Sequence, residues 1–188
     1  FDIDKLSWLN KEWLKHTLSD DEFLRQLSEW MMPKDFMKQL IPHLRSRISV
    51  FSDAAEWIRP LWRNKIDLTK QMLDEIRLEH DELIKCLTFL IWQMESIKKW
   101  ERDSVYQSVQ FVCLAMNLEM KDVMPLVFLA LTGSNNSISA FDLAVLLGAD
   151  RTRARLRDAL RVSGGASKKQ LKKLERSYKD SLIEIDNR

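Results

Sequence analysis

The side chains in this sequence that are able to do chemistry are few, and most of them read as structural. The three histidines, His16, His43 and His80, fall on different predicted helices without ligand spacing, so no metal site is expected. Asp20-Asp21 and Asp81-Glu82 are acid pairs, but each stands at a predicted helix start, where negative charge complements the dipole. They are read as helix starts rather than as an acid–base pair. No Gly-rich phosphate loop of the G-x-x-x-x-G-K or G-x-G-x-x-G kind occurs. No catalysis is therefore expected from this chain. What remains is recognition chemistry. Arg45-Ser46-Arg47 offers rigid guanidinium forks. The run Thr132-Gly133-Ser134-Asn135-Asn136-Ser137 offers hydroxyls and amides that both donate and accept. Arg151, Arg153, Arg155 and Arg157 could meet phosphate, although at a spacing of two only half of them can share one helix face.

These residues need a scaffold, and composition says it is helical. In 188 residues there are only 4 Gly and 4 Pro, and 45% of the chain is hydrophobic. Leu, Met, Lys, Arg and Glu outnumber β-branched residues, as in an all-α protein. The 7 Trp are expected at helix–helix contacts. Cys86 and Cys113 lie in separate apolar runs, as small core residues do in a reducing compartment. No apolar run is long enough for a membrane span. Starting at Phe1 without Met, the chain reads as a piece of a longer protein.

The helices follow from caps and periodicity. A first helix runs from Asp4 to about His16, and Ser19 to Glu22 is a capping box opening the next. Met31-Met32-Pro33 ends it, a short helix covers Asp35 to Leu40, and Pro42 opens another that reaches about Val50 and carries Arg47. Further starts are read at Asp53, Thr69, Asp81 and Asp103, with Asn117 at a left-handed stop. Val123 to Leu131 is a buried helix, Gly133 follows it, and Ser139 caps a helix that Gly148 ends. Asp150 caps a third, Arg151 to Leu160. Beyond the Gly164-Gly165 link, Ser167 to Gln170 is another capping box, opening an amphipathic helix with Leu171, Leu174, Tyr178, Leu182 and Ile185. That helix either packs back on the bundle or forms a basic surface tail. The expected organisation is a first bundle over 1–66, a second over 67–161, and a linker with basic amphipathic tail over 162–188.

Charge is uneven. The whole chain carries +2, but residues 151–188 hold twelve Lys or Arg against five Asp or Glu, leaving about −5 on the rest. One end therefore looks suited to a polyanion, or simply to solvent.

Two segments resemble the C-terminal anticodon-binding region of bacterial-type glutamyl-tRNA synthetases. One is Pro125-Leu126 through Ala130-Leu131-Thr132-Gly133, the polar loop, Phe141-x-Leu143-Ala144-x-Leu146-Leu147-Gly148 and the Arg-rich helix. The other is Phe1-Asp2-x-x-Lys5-Leu6-x-Trp8-x-Asn10, similar to the segment where that family leaves its catalytic half. The resemblance covers residues 1–161. It implies two helical bundles in series that clamp the anticodon loop of tRNA, tRNA-Glu foremost. An upstream catalytic domain, with ATP and Mg as its cofactors, would then ligate glutamate to the tRNA. It implies a cytoplasmic or organellar monomer whose H-I-G-H-like and K-M-S-K-like motifs lie upstream of this chain. Unpaired bases are read by stacking and along their Watson–Crick edges.

By that resemblance Arg47 reads the third anticodon base, with Arg45 beside it. Thr132, Ser134, Asn135, Asn136 and Ser137 handle the first two bases. Arg151 and Arg155 are candidate phosphate contacts. The sequence departs from the family at one point. The family writes Arg inside the helix before the loop, and this chain has Phe128 there counting back from Gly133, or Val127 counting forward from Pro125. Phe128 can replace the cation by stacking or can belong to the core. The alternatives stay open: a surface arginine, an ordinary polar turn, and a helical protein-interaction module that kept the fold and no longer reads tRNA.

Overall fold

The computed structural model describes residues 2–63, 65–133 and 138–186. Among them every regular element is helical, with eleven α-helices and one 3-10 turn. The chain forms two units, one ending at Ile48 and the other beginning at Ser49.

The first unit holds α1 (Ile3–His16), α2 (Asp20–Met31) and α3 (Lys34–Arg45). Asp2 accepts from the Lys5 amide and Ser19 from the Glu22 amide, so both helix starts are capped by side chains. Glu22 does not reach back to complete a box. Arg25, and then Gln26, engage its carboxylate and hold it down at about 2. The two short helices expected around Leu40 and Pro42 are one. Pro42 removes a single amide near the end of α3, and the buried Leu40 and Leu44 on either side of it keep the helix continuous. α1 and α2 bury no residue at all, and Trp8, Trp13 and Trp30 are exposed. With Trp62 also exposed, four of the seven Trp stand in solvent, against the expectation that they sit at helix contacts.

The second unit holds a 3-10 turn (Phe51–Asp53), α4 (Ala54–Trp62), α5 (Lys70–Asp74), α6 (His80–Ser96), α7 (Arg102–Met116), α8 (Met120–Thr132), α9 (Ala140–Leu147), α10 (Ala149–Val162) and α11 (Lys168–Asp186). Its core is built on α6, which packs against α7 and α10, while α8 packs on α7, α9 and α10. Phe89, Leu90 and Met94 of α6, Val105, Val109 and Val112 of α7, Leu126 of α8, Leu143 of α9 and Leu156 of α10 are all buried. Cys86 and Cys113 are free and buried here, and burial pushes both thiols up. Local chemistry sets the ends. Asn117 takes φ 52° after α7, Gly133 takes φ 71° after α8, and Gly148 takes φ 79° between α9 and α10. α10 begins at Ala149, so Asp150 lies in its first turn rather than capping it. The expected boundary near residue 66 falls inside this unit, because α4 packs on α9 and is held by α10. α11 packs back on α6 and α7.

Gly133 is required twice over. Its φ is left-handed, and a Cβ there would stand 2.5 Å from Ile66 Cγ2. Gly133→Ala is expected to lower stability by about 1–2 kcal/mol from the backbone alone. Chemical denaturation checks this, and an unchanged midpoint would contradict the tight packing of Ile66 on the end of α8.

Candidate recognition site

The alternating arginines of α10 do not form an open basic surface. They divide into two i, i+4 pairs on two sides of the helix, and both pairs meet C-terminal ends of other helices. On one side, Arg151 Nη1 donates to the Leu61 carbonyl at 2.8 Å while its Nε donates to Leu147 of the preceding helix at 3.0 Å. Arg155 donates from Nη2 to the Pro60 and Arg63 carbonyls and from Nη1 to the Leu131 carbonyl. On the other side, Arg153 Nε donates to the Met94 carbonyl at 3.0 Å with its guanidinium over the Trp100 ring, and Arg157 pairs with Glu95 at 2.6 Å. The last carbonyls of a helix have no intrahelical donor and carry the negative end of its dipole. α10 supplies cationic donors to four such ends, those of α4, α6, α8 and α9.

Arg155 is the centre of this arrangement. It is 2% exposed, and among the described residues its Nε has no acceptor. Burial, and then the neighbouring Arg151 charge, push its guanidinium down to about 10. Three carbonyls favour the charged form and act against that shift. A phosphate cannot reach it, so the expectation of a phosphate contact at Arg155 is replaced by a structural role: it pins α4 and α8 together. Arg151 is exposed in part but is engaged by the same helix end.

That pin bears on the polar loop. Leu131, whose carbonyl Arg155 holds, is the penultimate residue of α8. The loop departs from Gly133 and returns through Ile138, which is buried, into the N-terminal end of α9. Both ends of the loop are therefore anchored in core. Ser134, Asn135, Asn136 and Ser137 lie outside the described residues. Thr132 is buried and donates its hydroxyl to the Phe128 carbonyl at 2.8 Å. At the point of departure from the family, Val127 is 3% exposed and belongs to the core, whereas Phe128 is half-buried and presents part of its ring.

Arg45 and Arg47 belong to the first unit. Arg45 is exposed at the last position of α3. Arg47 lies beyond that helix, not on it, because the chain turns at Ser46. Its Nη1 donates to the His43 carbonyl at 2.8 Å and to Ser46 Oγ at 3.2 Å. The guanidinium thus caps α3 and is held in place by it.

The family described as anticodon binding domain matches residues 22–160. The chain belongs to this family. The match opens in the first turn of α2 and closes near the end of α10, so it takes in the arginine-pinned bundle and leaves α1 and α11 outside. The chain is 36% identical over 178 residues to a glutamate–tRNA ligase of Marinobacter nauticus, covering 95% of this chain and 36% of that protein. A glutamate–tRNA ligase of a Marinomonas species is 34% identical over 180 residues, covering 96% of this chain and 36% of its own length. One from Pseudomonas putida is 36% identical over 176 residues, covering 94% and 36%. The chain thus spans just over a third of the length of the curated relatives it matches. No helix among the described residues is long and apolar enough to cross a membrane.

Sequence reasoning missed two things in this anticodon-binding fold. One is the capping role of the α10 arginines, for which the i, i+4 spacing was the available signal. The other is that, once those arginines are engaged internally, the surplus positive charge of the C-terminal segment stands on α11 instead.

Proposed function

We propose that this chain is the anticodon-recognition region of a glutamate–tRNA ligase. In this reading it grips the anticodon loop of tRNA-Glu while an upstream catalytic region, using ATP and Mg, joins glutamate to the far end of the tRNA. The observation that carries the reading is the family match over residues 22–160, supported by relatives named glutamate–tRNA ligase that align along nearly the whole chain. The geometry is compatible in two ways. The residues on either side of the loop, Thr132 and Ile138, are buried, and an arginine already anchored through Nη1 needs little ordering on binding. Arg47 is the residue of this reading that tells one anticodon from another, with Phe128, half-buried one turn before the end of α8, offering a stacking face.

The test is the affinity of the chain for tRNA-Glu and for a non-cognate tRNA, with Arg47→Ala alongside. Arg47→Ala is expected to cost about 1–3 kcal/mol on the cognate tRNA and much less on the other, as for a base-contacting arginine. Equal losses on both would make Arg47 a cap and a phosphate contact only. Absence of any preference in the unaltered chain would favour a protein-interaction module that kept this fold.

A further inference from the structure

α11 lies beyond the residues that the anticodon binding domain family matches, and it carries a dense run of positive charge. Its first twelve residues contain Lys168, Lys169, Lys172, Lys173, Arg176 and Lys179 against the single acid Glu175. At 3.6 residues per turn these six cations fall within about 140° of arc, on one side of the helix. The opposite side is occupied. Tyr178 stacks edge-on against Phe89, Trp92 and Phe111, accepts from Gln93 Nε2 at 2.9 Å, and lies near the buried Ser181. All six basic residues are exposed. Lys179 pairs with Glu175, and Lys173 borders a pocket with Asp81 and Glu82. Among the described residues no ion pair engages Lys168, Lys169, Lys172 or Arg176. The stripe ends where Asp180 and Glu184 begin.

From this we infer that the basic side of α11 is a second RNA-binding surface, which holds the phosphate backbone of the bound RNA without reading its sequence. The chemistry suits phosphate. Five of the six cations are lysines, which act as mobile point charges rather than as planar forks for base edges. It does not suit a lipid surface, because an amphipathic helix binds a membrane through its apolar side, and here that side is packed on α6 and α7. The choice of RNA as the polyanion rests on the anticodon reading above.

The test compares the full chain with the variant K168Q/K169Q/K172Q/R176Q, whose glutamines keep helix propensity. Binding to labelled tRNA-Glu and to a non-cognate tRNA is measured across a salt series, and binding to anionic phospholipid vesicles is measured in parallel. The expected result is a salt slope shallower by about 3, near one unit or slightly less per lost phosphate contact, with the same fold loss for both tRNAs and the cognate preference intact. An unchanged slope overturns the inference. So does a loss seen on vesicles and not on RNA. An unaltered chain that binds both tRNAs equally would sink the anticodon reading alone, since the slope could still be read on either RNA. A chain that binds neither at low salt would sink both.

Discussion

Arg155→Ala is expected to destabilise the second unit by about 3–5 kcal/mol, the range found when one partner of a buried, hydrogen-bonded charge is removed. The substitution deletes donors to three carbonyls from two helices, at Pro60, Arg63 and Leu131, and opens a space in the core beside Leu156 and Ala159. Each buried acceptor left alone costs about 1–3 kcal/mol, although water entering at the α4 end will recover part of it. Arg155→Lys should recover less than half. An ammonium keeps the charge but is a compact group on a flexible stem, and it cannot span carbonyls that a planar fork reaches from both nitrogens. The measurement is thermal and guanidinium unfolding, with Arg161→Ala for comparison. Among the described residues Arg161 makes an exposed pair with Asp158, and such pairs contribute about 0–1 kcal/mol. If the two alanine variants melt alike, Arg155 does not pin α4 to α8. Hydrogen exchange adds a second readout, since loss of the pin should loosen the ends of α4 and α8 before the middle of α6.

The same residue explains why part of this molecule could be read from its sequence and part could not. Features settled within a few residues were legible. Thr69 accepting from the Met72 amide, Ser167 and Gln170 bonding reciprocally, and the left-handed stops at Asn117 and Gly133 are all local chemistry. The period of apolar residues likewise reported the helices of the core. Arg155 was legible as a cation but not as a buried one. Two of its three acceptors are 92 and 95 residues away, at Arg63 and Pro60, and all three are backbone carbonyls, which leave no trace in residue type. The boundary between units failed for the same reason. The polar stretch after Trp62 looks like a linker, yet α4 before it is held to α10 by these bonds. In the first unit the apolar periodicity of α1 and α2 was read correctly as helix, but it did not translate into burial, as the exposed Trp8 and Trp30 demonstrate. The candidate site divides likewise. The position of Arg47 just past a helix end depends on where α3 stops, and the sequence misplaced that stop by treating Pro42 as a beginning.

Tyr178→Ala is expected to release α11 from the bundle while leaving the rest of the second unit folded. The tyrosine is the main tertiary anchor of a helix whose other faces are charged and exposed. Its ring centroid lies 5.1 Å from Phe89, 5.1 Å from Trp92 and 5.6 Å from Phe111, all edge-on, and Gln93 donates to its hydroxyl. Removing a fully buried aromatic costs about 3–5 kcal/mol; Tyr178 is half-buried, so about 2–3 kcal/mol is expected here. A helix of 19 residues in isolation is marginal in water, so that loss falls mainly on α11 itself. Proteolysis should then cut among the lysines of α11 many times faster than in the unaltered chain, while the main unfolding transition, carried by α6 to α10, moves little. Tyr178→Phe should keep the ring packing and lose only the Gln93 bond, an effect of about 1 kcal/mol. Were Tyr178→Ala to lower the main transition as far as Arg155→Ala does, α11 would belong to the cooperative core of the domain rather than being docked upon it. The comparison also bears on RNA binding. A detached α11 keeps its six cations but loses their fixed arrangement, so a fall in RNA affinity in Tyr178→Ala without a change in salt slope would mean that the helix must be held in place, and not merely be charged, to grip a phosphate backbone.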